Sequence, residues 1–261
     1  MNDTEAFATI IAALDLPARA RVDTRVPKKL LVEQGAPTAA DKRAIQDGVD
    51  ELQWLAVLKP TTVAIPAFAD PMHDYSEIAV IAATFRPQAR SARLIELIHR
   101  AIPYPILLMT MDGDNVALSV GLKRAAQNEG DKVVVERIVA VDGVRLEAPS
   151  SLDVAFLESL ALLRQPSRNL RAVYEGWQAC IEARAAARLS GSYTVIDDRE
   201  LVERRRTALA EHARLSREIA LLRAQAVRAK QISQRVDLNQ RIKALEAAID
   251  QTKNRMLGTN A

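Results

Sequence analysis

"YPILLMTMDGDNVALSVGLKR", residues 104–124, is two apolar runs around Asp112-Gly113-Asp114-Asn115. Asp-Gly between such runs is a strong hairpin signal, because glycine adopts positive φ without steric cost. The stretch predicts a pair of antiparallel strands in the middle of the chain. Upstream, "TTVAI" (61–65) and "SEIAVIAATFR" (76–86) are rich in β-branched residues and read as strands. "SARLIELIHRAI" (91–102) reads as a helix stopped by Pro103 and Pro105, and "DKVVVERIVAVDG" (131–143) as one or two further strands. The order is about ββαβββ.

Helical patterns flank this core. "DTEAFATIIAALDL" (3–16) has Asp3 or Thr4 as its cap. "RVDTRVPKKLLVEQG" (21–35) opens extended and reaches a helix start after Pro27. "TAADKRAIQDGVDELQWLAVL" (38–58) predicts one amphipathic helix, capped by Thr38, with Ile45, Val49, Leu52 and Leu55 or Ala56 on one face. "SLDVAFLESLALLRQP" (151–166) and "NLRAVYEGWQACIEARAAARLSG" (169–191) predict two more helices. Trp54 and Trp177 are expected to anchor the core from apolar helical faces, and Cys180 to be a small buried residue. The expected fold is α+β: a mixed or mostly antiparallel sheet flanked by helices, in a body spanning 1–192.

A long helical arm is expected over 197–257, because neither Gly nor Pro occurs between Gly191 and Gly258. Leu215, Ile219, Leu222, Ala226 and Ala229 make one seam; Leu238, Ile242, Leu245, Ile249, Thr252 and Met256 make another. The second seam is displaced by two residues, roughly 200° around a helix of about 3.6 residues per turn. A break near Ser233–Asp237 reconciles them, with Asp237 and Gln240 as a capping box. A helical hairpin is favoured. A single coiled-coil helix with a register shift, or one that dimerises, is the alternative.

The chain has 261 residues and is 49% hydrophobic and 26% charged, which suits a soluble globular protein. Aromatics supply only 4%, so the core must be built from Leu, Ile, Val and Ala. A lone cysteine, no bilayer-length apolar run and an acidic start, "MNDTEAFATI", point to a cytoplasmic protein without a membrane span. The net charge of +3 is uneven. Residues 197–261 hold 14 Lys+Arg against 9 Asp+Glu, while residues 1–196 hold 22 against 24. A basic arm on a near-neutral body hints at a polyanion or an acidic partner.

The arm also carries a resemblance. "KQISQRVDLNQRIKALEAAID" (230–250), with Lys230, Gln231, Arg235, Val236, Leu238 and Asn239, resembles the C-terminal signature of the domain of unknown function 4391 family. "VPKKLLVEQG" (26–35), "QWLAVLKPTTVAIP" (53–66), "EIAVI" (77–81) and "LIELIHRAIPYPILLM" (94–109) resemble the same family in the same order. The family carries no established activity. The resemblance implies an accessory role beside helicases and DNA methyltransferases of restriction-like or antiphage systems.

Motifs of specific chemistry are missing. There is no Walker-type phosphate loop, dinucleotide fingerprint or nucleophile elbow. His73, His99 and His212 lie far apart, and no zinc pattern exists. No cofactor, no metal and no catalytic residue is expected. From Asp112, the twelfth position of a calcium loop would be Lys123, which discards that reading. A cryptic metal-dependent nuclease would draw on Glu77, Asp112, Asp114, Lys132 and Glu136, none at tight nuclease spacing.

The remaining candidates are cations that would contact a nucleic acid or a protein. Lys28 and Lys29 follow Pro27, and Lys123 and Arg124 close a strand as rim charges. On the arm stand Arg204, Arg205, Arg206, Arg214, Arg217, Arg228, Lys230 and Arg235. They would neutralise phosphates of double-stranded DNA without reading sequence. Interleaved aromatics are lacking, which argues against a single-strand stacking platform. The alternative is a solvated helix flank paired with Glu203, Glu211 and Glu218. The favoured function is an adaptor that binds a helicase or methyltransferase through body and arm. Self-association through the arm is a further expectation.

Overall fold

The computed structural model describes residues 2–112, 115–126, 133–229 and 231–256, with the side chains of 112, 115 and 253–256 left aside. In chain order the elements are α1 (Asp3–Leu14), β1 (Arg21–Arg25), α2 (Lys28–Gly35), α3 (Ala39–Gly48), β2 (Val49–Leu58), α4 (Pro60–Val63), β3 (Phe68–Ala69), β4 (Asp74–Tyr75), β5 (Ile78–Phe85), α5 (Ser91–Ala101), β6 (Ile106–Asp112), β7 (Asn115–Ala125), β8 (Val133–Arg145), α6 (Ser151–Ser159), α7 (Leu170–Ser190), α8 (Arg199–Arg228) and α9 (Ile232–Met256). The chain divides into two compact units, Met1–Ala185 and Ala186–Ala261.

The first unit is built on a six-stranded mixed sheet in the order β1-β2-β5-β6-β7-β8. All neighbours are antiparallel except the central pair β5 and β6, which α5 joins in parallel. A parallel pair needs a crossover of this kind, usually a helix. Ile78–Ala83 and Ile106–Met109 are buried throughout, as expected of strands covered on both faces. On one face α2, α3 and α5 contribute Leu31, Ile45, Leu94, Leu97 and Ile98 to a core shared with Leu52, Ile81 and Leu108. On the other, the hydroxyl of Tyr174 on α7 accepts from the Gly121 amide at 2.8 Å and lies 2.9 Å from the Ile106 carbonyl. The fold is therefore α+β, with helices flanking a mixed sheet and long C-terminal helices after it.

The strand pair predicted around Asp112-Gly113 forms: β6 and β7 run antiparallel, with Asp112 opposite Asn115, while 113–114 lie outside the described residues. Several local expectations are corrected. The helix expected over 38–58 stops at Gly48, and Val49–Leu58 is strand β2, antiparallel to β5 from Val49 to Leu58. Its run Leu55–Leu58 is buried in a two-sided strand, and short apolar runs do not distinguish strand from helix by period. Trp54 therefore lies on a strand, half-buried and stacked on Tyr104 with centroids 5.7 Å apart. "TTVAI" is not a strand. Pro60 opens the single turn α4, as its fixed φ favours, and Ala64 closes it at φ 57°. The cap of α1 is Asn2, whose side chain accepts from the Glu5 amide. Trp177 and Cys180 are buried, as expected.

In the second unit α8 and α9 form the favoured helical hairpin. Ile219 and Leu222 pack with Leu238 and Ile242, and Ala226, Ala229, Leu245 and Ile249 flank them. The two sequence seams thus face each other. The break falls earlier than Ser233–Asp237, after the extended Ala229, so Asp237 lies inside α9 and caps nothing.

Candidate interaction surface

The hairpin is assembled from ordinary helix rules. Asp198 caps α8 by accepting from the Leu201 amide at 2.8 Å. The apolar seam of Ile219, Leu222, Leu238 and Ile242 lies between the helices, and most charged residues lie outside it. Near the start of α8 these charges satisfy one another. Arg204 pairs with Glu200 at 2.6 Å, Arg206 with Glu203, and Arg214 with Glu218 at 3.3 Å. Arg205 is buried and donates to the Thr194 carbonyl at 2.6 Å. Arg223 reaches across to Glu246 on α9 at 2.7 Å.

Toward the closed end the balance changes. Arg217, Arg228, Arg235, Arg241 and Lys243 are exposed, and among the described residues none has a carboxylate within ion-pair distance. Lys230 lies outside the described residues. Of the eight expected arm cations, four are thus engaged at the base and three face solvent. Arg241 and Lys243 were not anticipated. Their signal was the second seam, which leaves positions beside Ile242 facing outward.

The candidates in the body have separate neighbours. Lys28 begins α2 and is half-buried, and Lys29 pairs with Glu33 at 3.6 Å. Arg124 pairs with Glu136 at 2.7 Å. Lys123 is no rim charge. Only 6% exposed, its Nζ donates to the carbonyls of Ile102 (2.6 Å) and Tyr104 (2.7 Å). Burial pushes its ammonium down to about 7. Beside it the His99 imidazole is fully buried, with Nε2 3.0 Å from Ser119 Oγ. Burial, then the Lys123 charge, lowers His99 to about 3, so it is neutral at physiological pH. Ser119, Gly121 and Lys123 are buried, but so are Leu118 and Val120, and the register shifts between Leu122 and Lys123, so no alternation along β7 marks the lysine.

Of the acids considered for metal chemistry, Glu77 pairs with Lys59 at 2.7 Å and Glu136 with Arg124. The Asp112 side chain, Asp114 and Lys132 lie outside the described residues. Among the described residues no three His, Cys, Asp or Glu side chains gather to hold an ion. The body also has a cleft of about 980 Å³, lined by Glu33, Glu96, Arg100, Val135 and Arg137 from α2, α5 and β8. Among the described residues no helix is long and apolar enough to cross a membrane.

Residues 14–249 match the family model Domain of unknown function (DUF4391). The chain belongs to the DUF4391 family. No curated protein and no solved structure matches it. The match runs from the end of α1 to Ile249 in α9, so the DUF4391 domain takes in both compact units. The hairpin is therefore part of the family's own architecture.

Proposed function

We propose that this DUF4391 protein is a cytoplasmic adaptor in a bacterial DNA-processing assembly of restriction-like or antiphage type, binding a helicase or DNA methyltransferase through its body and helical arm. The observation that carries the reading is the hairpin. Its inner seam is closed by Ile219, Leu222, Leu238 and Ile242, yet its far end keeps exposed cations and aliphatics outside that seam. The accessory role beside helicases and DNA methyltransferases that the resemblance to the DUF4391 family implies supports the choice of partner. The test is a pull-down of the tagged chain from its host beside a chain ending before Asp197, whose body is first shown to melt cooperatively. A helicase or methyltransferase recovered only with the full chain supports the adaptor. Recovery of neither from the full chain overturns it.

A second reading rests on Arg217, Arg228, Arg235, Arg241 and Lys243. These cations suit sequence-independent contact with double-stranded DNA, either alone or within the same assembly. Affinity for a duplex would then fall steeply as salt rises, with a slope set by the number of phosphates neutralised. A flat salt response would remove this reading.

A further inference from the structure

The closed end of the hairpin combines two features, exposed aliphatics and a surplus of basic residues. Leu221 and Val227 on α8 are 64% and 87% exposed, and Ile232 and Val236 on α9 are 76% and 47% exposed. They lie outside the seam that joins the helices. Isolated surface aliphatics need no explanation, but Ile232 and Val236 stand one turn apart on one face of α9, and Val227 precedes them across the break between the helices. The same end is strongly basic. Residues 221–243 hold six Lys+Arg and a single acid, Asp237. That surplus of five equals the surplus of the whole region from Asp197.

Charge and chemistry narrow the occupant. A second copy would bring two such basic ends together, and like charges across an interface oppose docking. Phosphates would use the cations but gain nothing from Val227 and Ile232. The end has no Trp, Tyr or Phe, the residues that anchor a helix at a bilayer interface. Arginine dominates the described cations that have no carboxylate partner, with Arg228, Arg235 and Arg241 against Lys243, and protein interfaces favour arginine over lysine. Resting on the adaptor reading, we propose that the closed end of the α8–α9 hairpin docks on a protein surface that presents carboxylates around an apolar centre.

The probe is a synthetic amphipathic peptide of about 20 residues, leucine on one helical face and glutamate on the other, long enough for a marginal helix. It is titrated against the full chain beside a duplex DNA of similar length and vesicles of phosphatidylserine and phosphatidylcholine. Two double variants of the full chain, Val227→Ser with Ile232→Ser and Arg228→Gln with Arg235→Gln, change only exposed positions. The peptide is expected to bind, and each double variant to weaken it about tenfold or more, as loss of interface anchors does. Tighter binding of duplex or vesicles than of peptide overturns the proposal, as does peptide binding indifferent to either pair. The host pull-down separates the two readings. A partner kept by both variants but lost with the arm sinks the tip proposal and leaves the adaptor standing. If the unaltered chain captures no partner the adaptor falls, and the peptide titration alone decides the tip.

Discussion

Lys123 Nζ lies 2.6 Å from the carbonyl oxygen of Ile102, the residue that closes α5. A cation at a helix C-terminus satisfies a carbonyl left without an intrahelical partner and complements the helix dipole. Here the cation arrives from β7, so one buried side chain ties helix to sheet. Its ammonium falls from 10.5 to about 7. Between those values the unfolded chain binds one proton more than the folded chain, so stability rises with pH from about 7 to 10.5. Lys123→Met should flatten that rise. At lower pH it should still cost about 1–3 kcal/mol, because two buried carbonyls lose their donor. Urea unfolding of both proteins at several pH values checks this. An equal slope in the two would refute it.

His99 gives the complementary acid limb. Its folded value is about 3, against 6.5 unfolded. As pH falls from 6.5 the unfolded chain takes a proton that the folded chain refuses, so stability declines toward pH 3. In proton-resolved NMR the His99 ring should show no titration between pH 5 and 8. A midpoint near 6.5 would contradict its burial.

Gly121 faces the same ring. A Cβ added there would lie 2.7 Å from His99 Nδ1. Gly121→Ala should therefore cost about 1–3 kcal/mol by overpacking. Most of that loss should disappear when His99 is also truncated to Ala, as coupled neighbours require. Simple additivity in a double-mutant cycle would show that the clash lies elsewhere.

Asp153 and Arg184 form a buried pair at 2.6 Å, and Asp153 also accepts from Ser150. Burial alone would raise the carboxyl, but Arg184 and Ser150 hold it below its usual range. Asp153→Asn should destabilise by about 3–5 kcal/mol, because a buried guanidinium is left uncompensated. Adding Arg184→Met should recover a large part. Thermal melts of the three proteins decide, and a mild effect of the single change would mean that the site hydrates readily.

Leu222 sits between the two helices of the arm and is 5% exposed. Leu222→Ala should cost about 2–5 kcal/mol in the hairpin. Amide exchange should then accelerate in α8 and α9 together, since each buries its seam on the other. Acceleration confined to α8 would argue against their mutual packing.

How much of this was legible in the sequence depended on the range of the interactions. The β6–β7 pair, the helix start at Lys28, the Thr38 cap and the two arm seams are local signals: a turn dipeptide, a fixed φ, a short polar side chain, a period of 3.6. The hairpin followed from seams nearly opposite on one helix, since only folding back lets each cover the other. The paired acids and arginines of α8 were legible as well, at spacings of three and four.

Strand β2 was not legible. Ile45, Val49 and Leu52 keep helical spacing, but hydrogen bonds to β5, some thirty residues away, overrule it. The place of Lys123 was equally a tertiary matter. A lysine at a strand's end is normally solvated, and only the carbonyls of Ile102 and Tyr104, brought beneath it by the α5 crossover, make its burial tolerable. What the sequence determined by itself was the kind of most elements, β2 and α4 excepted, and the surplus of charge on the arm, because propensity, capping and composition act within a few residues. Which strands are neighbours, which cations are spent on carboxylates and which remain exposed at the hairpin's end was decided by packing, because those energies exist only once distant segments share a surface.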